Sequence, residues 1–276
     1  MTNRFRASVP LTEDWQHFDF AVADGIATVT LNRPEKLNPL TFESYADLRD
    51  LVQQLPYRED VRVLVIRGAG KAFCAGGDVN EIIGELIKMR PRELMAFTKM
   101  TGDLIRAMRE VSVPIVSGIQ GIAAGAGSVV ALASDFRVVT QSARFAFLFT
   151  KVGLSGGDMG AAYLLPRMVG AGRATQLLML GDTIDAATAD RYGLVSELVA
   201  DDELDAAVAR LATRLAEGPA LAYAQTKALI TRELDMSLAG AMELDAMTQA
   251  LLMTTDDHAE FHAAFNERRP PRWTGR

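Results

Sequence analysis

The 276-residue chain is poor in several residue types and patterns. Cys74 is its one cysteine, so an intrachain disulfide is impossible and a reducing compartment is compatible with the sequence. The first residues lack the apolar core of a signal peptide, and no later stretch has eighteen uninterrupted apolar residues. These absences predict a cytoplasmic protein without a membrane anchor.

Positive charge and metal-binding side chains are also scarce. The chain has 29 lysines and arginines against 35 aspartates and glutamates, and its formal net charge is −6. Nucleic-acid binding usually requires a basic face, so we expect no nucleic-acid partner. Of the three histidines, His258 and His262 lie one helical turn apart, but no third ligand accompanies them. The sequence therefore predicts no metal site.

Strand and helix patterns alternate through the first part of the chain. Two short alternating runs flank Asp24 and Gly25, which predicts a β-hairpin, and residues 42–55 have helical spacing. "VRVLVIRG", residues 61–68, is a run typical of a buried strand. After about Ala200 the pattern becomes a series of amphipathic helices. We therefore predict an α/β core over residues 1–200 and a helical region over residues 201–276.

Two glycine-rich turns are the first candidates for chemistry. In "GIAAGAGSVVALASD", residues 121–135, glycines precede a helix, where free backbone N–H groups favour an oxyanion. In "FCAGGD", residues 73–78, an apolar strand end passes into a turn, and Asp78 can cap the next helix. Two N–H donors on one carbonyl oxygen form an oxyanion hole, worth about 3 kcal/mol per donor at the transition state. Each motif alone is more often only a turn.

Five motifs together resemble the crotonase (enoyl-CoA hydratase/isomerase) superfamily. In chain order they are "LNRPEKLNPL", "FCAGGD", "GIAAGAGSVVALASD", "GAGRATQLLMLGDTIDAATADRYGLVSELV" and "HAAFNERRPPRWTGR". The resemblance runs from about Phe18 to Arg276. It implies an α/β fold, a spiral of β-β-α units with a C-terminal helical trimerisation subdomain. It also implies a homotrimer or dimer of trimers, an acyl-CoA substrate and no separate cofactor. The thioester oxygen would lie between the N–H groups of Ala75 and Ala126.

The two glutamates with which hydratases of this family hold water are missing. Their positions match Val129 and Phe149, and neither side chain can orient water or move a proton. A carboxylate remains nearby, since Asp158 lies in the turn of "VGLSGGDMGAAYLLPRMVG". The 4-chlorobenzoyl-CoA dehalogenases and 1,4-dihydroxy-2-naphthoyl-CoA synthases of the family carry a functional aspartate in this turn. We predict that Asp158 is the polar catalytic residue, as base or nucleophile; the alternative is a helix cap.

The resemblance implies further contacts with the substrate. Those toward the coenzyme A and along the two turns are Lys36, Leu37, Ala72, Phe73, Gly76, Asp78 and Gly125. Those around the acyl group are Val129, Phe149 and Met159. If Met89, Met95, Met100 and Phe97 also face the substrate from the segment after the first turn, opposite Phe149 and Met159, they form an adaptable apolar wall suited to a bulky or aromatic acyl group. From the C-terminal helix, Phe265 or Arg268 would reach the coenzyme A of a neighbouring subunit.

Three functions remain open on these residues. The first is an acyl-CoA enzyme that stabilises a thioester enolate or related anion with Asp158 as catalytic residue. It would catalyse one of the less common reactions of the family. The second is hydration of an enoyl-CoA with water held by Asp158 or Glu81. The third, from another class, is an acyl-CoA-binding protein without catalysis, because Val129 and Phe149 are what a degenerate site would contain.

Overall fold

The computed structural model describes residues 11–12 and 14–276, and this part of the chain holds nine strands. The strands are β1 (Asp19–Ala23), β2 (Ile26–Leu31), β3 (Val63–Gly68), β4 (Ile115–Ile119), β5 (Ile122–Ala124), β6 (Phe136–Thr140), β7 (Arg144–Ala146), β8 (Thr183–Asp185) and β9 (Glu197–Val199). The helices are α1 (Phe42–Gln54), α2 (Gly84–Leu86), α3 (Pro91–Glu110), α4 (Ala126–Ala133), α5 (Ala161–Val169), α6 (Ala171–Leu180), α7 (Ala186–Arg191), α8 (Leu204–Ala216), α9 (Ala220–Glu233), α10 (Leu238–Leu252) and α11 (Asp256–Glu267).

The strands form two sheets. The larger has the order β1-β2-β3-β4-β6-β9, and every neighbouring pair in it is parallel except β1 and β2. The smaller has the order β5-β7-β8. The chain passes from β4 to β5 and then α4, and from β6 to β7 and then α5, so from β4 to β7 consecutive strands alternate between the sheets. This confirms the predicted spiral of β-β-α units.

Local sequence signals explain the first elements. Asp24 and Gly25 have φ values of 51° and 78°, and two residues of positive φ are what a tight hairpin turn requires. Helix α1 begins after Thr41, whose hydroxyl accepts from the Ser44 N–H at 3.2 Å, while the Ser44 hydroxyl accepts from the Thr41 N–H at 2.7 Å. This reciprocal cap stabilises the first turn of the helix. The hairpin and helix predictions are confirmed.

The two faces of the larger sheet are covered differently. One face contributes to the main core, in which α1, α3 and α4 take part. The other face is covered by α8, where Val208 and Ala212 lie in one cluster with Val65 and Val116. Helix α8 therefore packs directly on the sheet, and Tyr223 of α9 packs against the same cluster. The division of the chain at residue 200 stays a prediction.

Helices α9, α10 and α11 carry an unusual amount of exposed apolar surface. The large side chains concerned are Ile230, Leu234, Leu238, Met242, Met247, Leu251, Phe261 and Phe265. No helix within residues 11–12 and 14–276 is long and apolar enough to cross a membrane.

Candidate active site

The two glycine-rich turns lie side by side. The backbone after β3 joins the smaller sheet at Cys74, whose N–H donates to Ile122 O at 3.1 Å and whose carbonyl accepts from Ala124 N–H at 2.9 Å. The chain then turns at Gly76, and on the other side α4 begins after Gly125. The fold therefore places two turns that are far apart in the sequence against each other.

Glycines permit this close approach. Gly125 has φ 49° and ψ −119°, a conformation that L side chains rarely adopt. A Cβ on Gly127 would lie 2.3 Å from Cys74 O, and a Cβ on Gly76 would lie 2.9 Å from Ala124 O. Both distances are shorter than van der Waals contact. The N-terminus of α4 can therefore reach the first turn only because these positions lack side chains.

The backbone N–H groups of the two turns differ in what they bind. Ala126 is the first residue of α4, and its N–H meets no acceptor among the described residues. The N–H of Ala75 donates to Leu37 O at 2.9 Å, so this predicted donor is already engaged within the protein. The N–H of Gly77, two residues later, has no acceptor in the described part of the chain. On the first turn the free backbone donor is therefore the Gly77 N–H, whereas the predicted donor, the Ala75 N–H, is bonded to Leu37 O.

The pairing of Leu40 with the first turn explains this difference. Leu40 N–H donates to Gly76 O at 2.7 Å, and Leu40 O accepts from Asp78 N–H at 2.8 Å. In a parallel bridge the residue between these two bonds, Gly77, directs its own N–H away from the partner strand. That N–H is left for a ligand or water, because buried backbone donors are almost always paired.

Asn38 fixes the loop that is predicted to contact coenzyme A. Its amide donates to Ala69 O and Ala72 O, both at 2.8 Å, and its side-chain oxygen accepts from Arg33 N–H at 3.0 Å. Leu37 and Asn38 both have positive φ, which asparagine tolerates better than most residues. Ala72 O is thereby occupied, and Leu37 contributes its carbonyl to the first turn. Nothing in the sequence alone marks Asn38 for this role.

Four charged side chains meet beside the first turn. Arg33 lies 3.0 Å from the Asp78 carboxylate and 2.6 Å from that of Glu81, and Lys36 Nζ lies 3.4 Å from Glu81. Asp78 also accepts the N–H groups of Asn80 and Glu81, which confirms its predicted capping role. Burial opposes its ionisation, but the two backbone donors and the two cations outweigh it and lower its pKa. Lys36 is therefore held near the turn.

Asp158 is half-buried in the turn before α5. One carboxylate oxygen accepts from Met159 N–H at 2.9 Å, and the other has no partner among the described residues. Helix α5 begins at Ala161 with Gly160 as its N-cap and without a side-chain cap, so Asp158 does not cap that helix. Burial raises the pKa of Asp158, and the hydrogen bond from Met159 only partly opposes this. The capping alternative is therefore not supported.

Tyr45 and Cys74 lie close enough to Asp158 and the first turn to interact with them electrostatically. Burial is the main reason that the pKa of Tyr45 is raised well above its ordinary value, and Cys74 and Asp158 add to it. Burial also raises the pKa of the Cys74 thiol to about 12. A thiol of that acidity is protonated at neutral pH and unreactive, and its side chain packs inward as predicted. Tyr45 has no motif to mark it in the sequence.

Three side chains predicted near the acyl group are buried, and their contact with a substrate stays a prediction. Val129 is fully buried in α4, and Phe149 is buried in the turn Leu148–Val152. Met159 is buried too, but it lines a cleft of about 620 Å³ that α3, α5 and α9 enclose with Ile105 and Leu164. Phe73 is buried in the core. Phe265 and Arg268 lie on the exposed surface of α11, and their contact with a neighbour's coenzyme A stays a prediction.

Other polar side chains have structural partners. His17 lies 2.6 Å from Asp47. Asp135 accepts from Ile115 N–H at 2.8 Å and pairs with Lys227 at 2.7 Å, so it ties α9 to the core. Among the residues that the structure describes, no group of three or more histidine, cysteine, aspartate or glutamate side chains could hold a metal ion.

Comparison with known proteins adds the family to this geometry. The family model for enoyl-CoA hydratase/isomerase matches residues 21–276. The chain belongs to the enoyl-CoA hydratase/isomerase family. This membership confirms the predicted resemblance, and with it an enzyme family that acts on acyl-CoA substrates.

Relatives in this family differ in the reactions that their names describe. The 1,2-epoxyphenylacetyl-CoA isomerase of Escherichia coli (strain K12) is 33% identical over 255 residues, which are 92% of this chain and 97% of the relative. The (E)-benzylidenesuccinyl-CoA hydratase of Thauera aromatica is 34% identical over 256 residues, with the same coverage. A crystal structure of a Streptomyces coelicolor A3(2) protein provisionally named enoyl-CoA hydratase has a TM-score of 0.97 and 61% identity over 100% of both chains.

Proposed function

We propose that the protein is an acyl-CoA enzyme that binds a thioester oxygen between the N–H groups of Gly77 and Ala126. The observation that carries this proposal is the presence of two unpartnered N–H groups on adjacent turns. Donors held in advance toward a carbonyl oxygen stabilise the negative charge that an enolate places there. Because the donors belong to the backbone, the site needs no acidic or basic side chain next to them to bind the anion.

Asp158 is the proton-transfer group in this proposal. The enolate forms when a base removes a proton from the carbon next to the thioester, and the proton returns to the same or another carbon. A carboxylate in water is a weak base near neutral pH, but burial raises the pKa of Asp158 toward a useful range. Its unpartnered oxygen is free to take the proton.

Hydration is the second candidate, and two observations weigh against it. By the family resemblance, Val129 and Phe149 match the positions at which hydratases hold water, and both are buried apolar side chains. Glu81 is already paired with Arg33 and Lys36, so its carboxylate is engaged within the protein. Hydration would therefore depend on Asp158 alone. Binding without catalysis would leave the unpartnered oxygen of Asp158 without a role.

We propose a bulky or aromatic acyl group for the substrate. The names of the Escherichia coli and Thauera aromatica relatives describe phenylacetyl and benzylidene groups, both of which carry an aromatic ring. Phe42, Tyr45 and Phe97 form an aromatic cluster beside the first turn, with ring centroids 5.0 and 5.9 Å apart. Aromatic rings pack well on one another, which supports a substrate of this kind.

The coenzyme A and the oligomer complete the proposal. Lys36 and Arg33 provide positive charge for phosphate groups, at the cost of their contacts with Glu81. The exposed apolar side chains of α9 to α11 support a trimer, or a pair of trimers, in which Phe265 or Arg268 reaches a neighbour's coenzyme A. No other cofactor is required for enolate chemistry on a thioester.

Hydrogen exchange in D₂O tests the proposed function. The protein is expected to exchange the C2 protons of phenylacetyl-CoA and butyryl-CoA for deuterium. Mass spectrometry of the thioester measures the rate of this exchange. Asp158→Asn should lower the exchange rate at least about 100-fold, while the dissociation constant from calorimetry changes less than about threefold. Asp190→Asn, at an exposed position, is the control and should match the wild type.

Other outcomes of this experiment would contradict the proposal. Tight thioester binding without exchange in the wild type would favour a binding protein. Rapid hydration of crotonyl-CoA, seen as loss of enoyl absorbance, would favour the hydratase alternative. Unchanged exchange in Asp158→Asn would remove Asp158 from the chemistry.

A further inference from the structure

Tyr45 brings a hydroxyl group next to the turn that holds the free Gly77 N–H. Its side chain extends from α1 and is 3% exposed, with its ring edge-on to Phe97 at 5.9 Å. A Cβ placed on Gly77 would lie 3.7 Å from the Tyr45 hydroxyl oxygen and 3.7 Å from the end of Ile82. The hydroxyl therefore lies close to Gly77, whose N–H is a proposed oxyanion donor.

The Tyr45 hydroxyl has no hydrogen-bond partner among the described residues. Among the described residues, the side-chain polar atoms that are fully enclosed and make no hydrogen bond belong to Trp15, Asp78, Gln120, Thr150 and Glu233. The Tyr45 hydroxyl is not one of them. The hydroxyl oxygen thus keeps some accessible surface even though the rest of the side chain is buried. A polar group in this position needs water or a ligand, because leaving it unpaired costs about 1–3 kcal/mol.

The hydroxyl is suited to donate as well as accept. Burial, with smaller contributions from Cys74 and Asp158, raises the pKa of Tyr45, so the phenol keeps its proton at neutral pH. A protonated phenol donates one hydrogen bond and accepts others. Phe97, which packs edge-on against the Tyr45 ring, is apolar and offers no competing partner.

We infer that the Tyr45 hydroxyl is a specificity-determining contact that hydrogen-bonds an oxygen substituent on the acyl group. The site would then prefer acyl-CoA thioesters that carry a hydroxyl or oxo group near the thioester over plain hydrocarbon acyl groups. This inference rests on the proposed function, since it places the acyl group beside the Gly77 and Ala126 donors. A site built to pair with a substrate oxygen disfavours the analogue that lacks it, because its own polar group stays unpaired.

Binding of matched CoA thioesters tests the inference. Calorimetry gives the dissociation constants of butyryl-CoA, 2-hydroxybutyryl-CoA and 3-hydroxybutyryl-CoA. The last two each add one hydroxyl group to butyryl-CoA, at different carbons. The wild type is expected to bind at least one hydroxylated thioester about 2- to 10-fold more tightly than butyryl-CoA. Tyr45→Phe removes only the hydroxyl and should abolish this preference, so that the variant binds the three thioesters with about equal affinity. Tyr57→Phe, at an exposed tyrosine, should keep the preference.

Each other outcome is decisive. Equal affinity of the wild type for all three thioesters would overturn the inference without any variant, so it does not depend on how Tyr45→Phe folds. A preference that survives in Tyr45→Phe would assign the selectivity to another group. If no thioester binds, the acyl-CoA function itself is wrong and the inference goes with it.

Discussion

Asp158 combines a half-buried carboxyl with a single internal hydrogen bond, and this combination affects stability as well as chemistry. Its folded-state pKa is raised, whereas in the unfolded chain the value is about 3.9. The folded protein therefore holds this proton more tightly than the unfolded chain does. The stabilisation that this raised pKa contributes is fully present below the pKa of the unfolded chain, and it is lost as pH rises through the folded-state pKa.

Asp158→Asn tests the direction of this pH dependence of stability. The amide can still accept from Met159 N–H, but it does not ionise. The variant should gain stability relative to the wild type as pH rises from about 4 to neutral, and the difference should then level off. Urea denaturation at a series of pH values measures it. A difference that grows toward acid would contradict the raised pKa.

The choice between Ala75 and Gly77 shows what the sequence leaves open at this scale. The motif "FCAGGD" locates the turn, but every residue in it carries a backbone N–H, and residue types do not tell which one is free. That depends on the pairing of Leu40 with the turn and of Leu37 with Ala75, both long-range contacts. The roles of Asn38 and Tyr45 could not be predicted for the same reason, since their neighbours come from elsewhere in the chain.

At the scale of elements, the position of α4 depends on the absence of a side chain at Gly127. A Cβ there would lie 2.3 Å from Cys74 O, a backbone atom that cannot move aside alone. Gly127→Ala should therefore lower the free energy of unfolding by about 1–3 kcal/mol and displace the Ala126 N–H. Gly102→Ala in α3 is the matched control, because a Cβ there meets nothing within 4 Å.

The control has its own expected direction. Replacing a helical glycine without a clash should raise stability by about 0.5–1 kcal/mol, so the two variants should move in opposite directions in urea denaturation. Equal effects would show that the approach of α4 to the first turn is not tight.

Most elements were predictable because their signals are local. The hairpin at Asp24 and Gly25 needs only its turn residues and two alternating runs, and α1 needs only the cap at Thr41 and helical spacing. The position of α8 could not be predicted in the same way. Its amphipathic pattern shows that one side is buried, but not that the sheet covers it.

At the scale of the whole molecule, the exposed apolar surface of α9 to α11 is the main feature that one chain leaves unexplained. Leu238 and Phe265 are 77% and 72% exposed, and such patches mark surfaces that another protein covers. We expect the protein to sediment at about three or six times its chain mass of 29.9 kDa. Met242→Glu with Met247→Glu should shift it toward one chain mass.

A matched substitution outside this surface separates the effect of the interface from that of an added charge. Ile87→Glu places a glutamate at a similarly exposed position away from α9 to α11 and should leave the oligomer intact. A wild type that sediments as a single chain would contradict the assembly.

The central claim is that two backbone N–H groups, on Gly77 and Ala126, receive the thioester oxygen. Isotope-edited infrared spectroscopy of phenylacetyl-CoA labelled with ¹³C at the thioester carbonyl tests it most directly, because hydrogen bonds to the oxygen weaken the C=O bond. The account predicts a carbonyl band at lower wavenumber in the bound state than for the same thioester free in water. A saturated complex whose band stays at the free position would contradict it.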